Sequence, residues 1–114
     1  MNATVLFAGV PTADFRAALP WYERLMGRPP DMLPHESEAT WQVSPAGWIY
    51  IVADTARAGR ALVTLIVDDL DARLAQLGER GLSPTAIEVM PGVGRKVTFT
   101  DPEGNAIALA EVVS

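Results

Sequence analysis

The chain contains no cysteine and only one histidine, His35. Without thiols there is no disulfide, thiolate nucleophile, iron–sulfur cluster or cysteine zinc site, and nothing in the composition asks for an oxidising compartment. A single histidine excludes every paired-histidine metal motif, and no serine stands in a nucleophile-elbow context from which a triad could be argued. Basic residues are also scarce: nine against fourteen acidic ones, Lys96 being the only lysine, for a net charge of −5. Such a surface repels phosphate backbones and anionic lipid, so nucleic acid is not an expected partner. No run approaches the roughly 18 apolar residues of a membrane span, and the first residues carry no basic stretch ahead of an apolar one, so the expected location is the cytoplasm. What is present is ordinary: 114 residues, 49% hydrophobic and 20% charged. This predicts one soluble domain over residues 1–114 that buries about two-thirds of its unfolded surface.

Two stretches share one plan. Residues 5–10 (VLFAGV) lead to Asp14, and residues 62–67 (LVTLIV) lead to Asp69. Each is a β-rich run ahead of an acidic helix cap, because a carboxylate accepts from the orphan amides of a first helical turn and complements the dipole. After Asp14 the apolar positions Phe15, Ala18, Leu19, Tyr22, Leu25 and Met26 follow helical spacing up to Gly27, and after Asp69, Leu70, Leu74 and Leu77 do so up to Gly81. Pro20 is discordant and predicts a kink or a late helix start. Strands are expected over residues 39–43 and 48–52, and again over 85–90, 95–100 and 105–112. Residues 28–34, rich in proline, read as a loop, and residues 53–60 as a linker. Asp101-Pro102-Glu103-Gly104 has proline and glycine where a type I turn places them, and predicts a hairpin. The Pro91-Gly92-Val93-Gly94 segment lacks both the lysine-ended pattern and the following helix of a phosphate loop. The chain thus reads as βαβββ twice, with module one about 1–54 and module two about 61–114.

The duplicated plan, with DFRAALPWYERLMG at 14–27, VDDL at 67–70 and DPEGN at 101–105, resembles the vicinal oxygen chelate superfamily of glyoxalases, bleomycin resistance proteins, extradiol dioxygenases and fosfomycin resistance enzymes. The resemblance implies an α+β fold in which the two modules form a cupped, incomplete barrel, often in a homodimer, with the ligand on the concave face. It also implies metal ligands seven residues before each capping aspartate, three residues after the asparagine of the hairpin motif, and in the strand closing module one. Those positions hold Phe7, Leu62, Ala108 and, near the fourth, Tyr50. A divalent ion needs three or four converging N, O or S donors, so no metal or other cofactor is expected.

If Phe7 and Leu62 point into the cup, strand alternation adds Val5, Thr64 and Ile66 to its wall. Trp48, Tyr50 and Val52 form one face of a closing strand, Ala106, Ala108 and Ala110 one face of the other, and Trp41 joins them if its strand faces the same way. The expected ligand contacts are therefore Phe7, Trp41, Trp48, Tyr50, Leu62, Thr64 and Ala108: an aromatic and aliphatic surface with few polar handles, suited to a small apolar or aromatic molecule. The leading reading is a metal-independent binding protein that sequesters such a compound as a homodimer, with no catalytic residue assigned. Two alternatives stand beside it. One is an enzyme of the same superfamily, a lyase, isomerase or dioxygenase, using either an all-carboxylate metal site or acid–base work by Tyr50, His35 or a buried carboxylate. The other is a non-catalytic dimeric partner domain whose aromatic face is covered.

Overall fold

The computed structural model describes residues 1–112. It contains, in order, β1 (Leu6–Thr12), α1 (Phe15–Met26), β2 (Met32–His35), β3 (Glu38–Ser44), β4 (Gly47–Ala53), β5 (Leu62–Ile66), α2 (Leu70–Glu79), β6 (Ala86–Met90), β7 (Gly94–Thr100) and β8 (Ala106–Val112). The strands form two four-stranded sheets, β1-β4-β3-β2 and β5-β8-β7-β6, which repeat one topology and do not close into a barrel. In each, the first strand runs parallel to the last and the other pairs are antiparallel.

Both helices begin where the aspartates predict. The Asp14 carboxylate accepts from the Ala17 amide at 3.1 Å and that of Asp69 from the Ala72 amide at 3.2 Å. Gly27 closes α1 at φ 76°, a left-handed conformation that costs a glycine little. The helix runs without a late start through Pro20. The carbonyl of Arg16 that this proline deprives of a partner lies on an exposed stretch, where water can serve it. Residues 28–34 correct the sequence reading. Part of this proline-rich passage is β2, which pairs with β3 through Met32 and Thr40 and through His35 and Glu38, so His35 lies on a strand and not in a loop.

Each sheet packs one face under the helices. Val10 and Thr12 of β1, Ile49 and Ile51 of β4, and Ala39 and Trp41 of β3 bury beside Ala18, Trp21, Tyr22 and Leu25 of α1. In the second sheet, Val97, Phe99, Ile107 and Leu109 bury beside Leu70 and Leu77 of α2. The DPEGN segment fastens one half to the other. The Glu103 carboxylate accepts from the amides of Ala13 and Asp14 at 2.5 and 2.8 Å. Asn105 donates to the Pro11 carbonyl at 3.0 Å and to Asp101 at 2.8 Å, while its own carbonyl accepts from the Ala61 amide at 2.9 Å. The buried Asp101 carboxylate accepts from the Tyr22 hydroxyl at 2.7 Å. Among the described residues no helix is long and apolar enough to cross a membrane.

Candidate functional site

Because side chains alternate along a strand, burying one face of each sheet leaves the other open. On the first sheet the register sets Phe7 beside Trp48, Gly9 beside Tyr50 and Pro11 beside Val52, all on the face away from α1. The Phe7 and Trp48 rings stack, with centroids 5.6 Å apart and planes 10° from parallel. Next to them the Tyr50 ring lies across Gly9: a Cβ added at Gly9 would sit 2.6 Å from both the Tyr50 Cζ and its hydroxyl oxygen. Any larger residue there would displace that ring, so Gly9 helps to shape the site. The sequence held a signal for it, a glycine opposite a tyrosine in a parallel strand pair, which can be used only once the register is known. Phe7 is 50% exposed, and Trp48 and Tyr50 are partly so. The result is an aromatic shelf with one phenolic hydroxyl.

On the second sheet Leu62, Thr64 and Ile66 stand beside Ala106, Ala108 and Ala110. Leu62 and Ile66 are 75% and 64% exposed. Ala108 is fully buried between Thr64 of β5 and Thr98 of β7, so it gives this face a flat floor and not an accessible contact. Residues of the two sets meet between the sheets. Trp48 and Thr64 both wall a cleft of about 350 Å³ between the sheets, otherwise lined mainly by aliphatic side chains.

Trp41 requires a correction. It pairs with Ile49, not with Trp48, and therefore faces α1. There it is fully buried, its ring 6.4 Å from that of Tyr22 and its indole N–H donating to the Arg28 carbonyl at 3.1 Å. It is a core residue. His35 lies between two neighbours, with Nε2 3.3 Å from a Glu38 carboxylate oxygen and Nδ1 3.1 Å from the Ser37 hydroxyl.

The positions at which the superfamily binds metal offer a phenyl ring, an isobutyl group, a methyl group and one phenol. That set does not fit a divalent cation, which needs several N, O or S donors at one point. Among the described residues no group of three or more histidine, aspartate or glutamate side chains could hold an ion.

Comparison with known proteins agrees with this geometry. A family model described as a glyoxalase-like domain matches residues 5–110. The fold superimposes with a TM-score of 0.93 on a glyoxalase/bleomycin resistance protein from Catenulispora acidiphila DSM 44928, at 47% identity over 97% of this chain and 100% of that one. TnmS3, an antibiotic binding protein from Streptomyces sp. CB03234, matches at 26% identity and a TM-score of 0.76 over 98% of both chains. A lactoylglutathione lyase from Agrobacterium tumefaciens shares the fold, with a TM-score of 0.78, at 15% identity over 97% of this chain and 95% of that one. No curated protein matches the chain by sequence. With both open faces built on the twice-repeated βαβββ plan and three of its four metal positions filled by hydrocarbon side chains, the chain belongs to the glyoxalase-like domain family of the vicinal oxygen chelate superfamily, without that superfamily's usual ligands.

Proposed function

We infer that the protein binds a flat, apolar or aromatic small molecule against the aromatic shelf, without a metal, and holds it as a sequestering protein does. The observation that carries this reading is the Phe7–Trp48 stack continued by Tyr50 over Gly9 on an open sheet face. Stacked rings offer a planar ligand dispersion and water exclusion, while one hydroxyl sets its orientation. The relation to an antibiotic binding protein supports the same class of ligand. A second copy of the chain completes the site in this reading, because Leu62 and Ile66 are too exposed for a finished apolar wall.

Trp21 and Trp41 are buried while Trp48 is partly exposed, so ligand-dependent quenching reports on Trp48. Titration with a panel of planar aromatic antibiotics should give saturable quenching for at least one compound. Trp48→Phe should remove that signal, and Tyr50→Ala should weaken binding by about tenfold to a hundredfold, the range for losing one aromatic contact and its hydrogen bond. No saturable change with any member of the panel would overturn the proposal.

A further inference from the structure

A second hollow lies on the helix side of the molecule, apart from the aromatic shelf. It has a volume of about 210 Å³ and runs between the end of α1 and the body of α2, with Leu25, Leu77 and Leu109 in its floor and Arg28, Arg73 and Arg80 around it. Val43 and Val67 belong both to its wall and to that of the apolar cleft between the sheets, so the two spaces adjoin at these residues. The cleft is mainly aliphatic, and the hollow beside it carries guanidinium groups.

The three arginines are not equivalent. Arg28 is spent on Asp31, at 3.0 Å, and on the Gln42 carbonyl. Arg80 donates through Nε to the Arg24 carbonyl and through Nη2 to that of Leu25, which caps α1 but leaves its charge without a carboxylate. Arg73 donates only to the Gln76 side-chain oxygen, at 3.3 Å. Among the described residues no carboxylate lies within 4.0 Å of Arg73 or Arg80. In a chain with fourteen acidic and nine basic residues, two guanidinium groups without a carboxylate partner beside these apolar spaces make a charge complement for an anion that carries a hydrocarbon tail.

We propose that the hollow and the cleft together form a binding site for a single-chain amphiphilic carboxylate, its head between Arg73 and Arg80 and its tail passing Val43 and Val67 into the cleft between the sheets. The site shares Trp48 with the aromatic shelf, but neither Phe7 nor Tyr50 lines it. Arg73 and Val43 are exposed, so changing them leaves the core intact, whereas Arg80 also caps a helix and is a poorer target.

Isothermal titration with dodecanoate below its micellar concentration should show one saturable site per chain, with dodecanol and dodecyltrimethylammonium each at least tenfold weaker. Arg73→Gln should weaken dodecanoate about tenfold, the size of one lost charge-assisted hydrogen bond. Val43→Trp, which fills the neck, should abolish binding, and Tyr50→Ala should leave it unchanged. Absence of saturable dodecanoate binding, equal affinity for dodecanol, or indifference to Arg73→Gln would overturn the proposal. So would loss of binding in Tyr50→Ala with none in Val43→Trp, since the amphiphile would then occupy the aromatic shelf.

Discussion

Tyr22 shows how a residue can belong to helix and hairpin at once. Its ring is fully buried under the first sheet, and its hydroxyl donates to Asp101 in the turn of the other module. Burial first, then the hydrogen bond and charge of Asp101 and the charge of Glu103, push the phenol well above its ordinary value. The sign of the pH effect follows. While the unfolded phenol is also protonated, below about pH 10, the stabilisation is fully present. At higher pH the unfolded chain loses a proton that the folded chain keeps, and stability falls by about 1.4 kcal/mol per pH unit until the folded value is reached. Tyr22→Phe should lower stability at neutral pH by about 1–3 kcal/mol, the range for a buried hydrogen bond to a carboxylate. It should also flatten the alkaline decline. Urea unfolding at pH 7 and at a series of alkaline pH values measures both, and an unchanged alkaline slope in the variant would contradict the assignment.

At the scale of elements, α2 is held to its sheet by a small charged assembly at its start. Glu111 of β8 accepts from the Leu70 amide at 3.1 Å and from Arg95 at 3.0 Å, and Arg95 also donates to Asp71 at 3.0 Å. The Leu70 amide first, then Arg95, holds the Glu111 carboxyl below the usual carboxylate range. A lowered value contributes stability that is complete above the unfolded carboxyl's value, about 4.3, and is lost as pH falls through the folded one. Glu111→Gln should therefore melt at a lower temperature than the parent at pH 7, and the difference should vanish toward the acid end of a thermal unfolding series. A gap that persisted at the lowest pH would point to packing and not charge.

The same scale shows what was legible in the sequence. Helical spacing and the capping aspartates fix both helices because each signal is local. β2 was hidden because all four of its residues are exposed and one of them is Pro34, so it shows neither alternation nor a buried face. Trp41 was placed on the wrong face for a related reason. Parity within a strand is local, but parity between strands depends on the turn, and the register between β3 and β4 shifts between Gln42 and Ser44. The aromatic shelf was readable because Phe7, Trp48 and Tyr50 lie on two strands whose alternation is unbroken. The arginine-lined hollow was not, since its residues come from both helices and the segments just beyond them, from β3 and β8, and from the residue after β5, and meet only after packing.

For the whole molecule, the hairpin motif conspicuous in the sequence is a structural fastening, and the open faces it leaves on either side are where function is expected. Leu62 and Ile66 project from the second sheet at 75% and 64% exposure, and Phe7 from the first at 50%. Water contact over that much hydrocarbon is costly, and a second copy related by a twofold axis would cover it with the same residues it exposes. Light scattering after size exclusion should then give a mass twice that of the 114-residue chain. Leu62→Asp with Ile66→Asp should halve it while leaving the circular dichroism spectrum in place, because neither side chain contributes to the core. If the two halves of the site come from different copies, the monomeric variant should also lose the tryptophan quenching produced by aromatic ligands even though Trp48 and Tyr50 are untouched. A parent protein that is monomeric at tens of micromolar would sink the dimer. Quenching retained in a monomeric variant would confine the ligand to the first sheet alone.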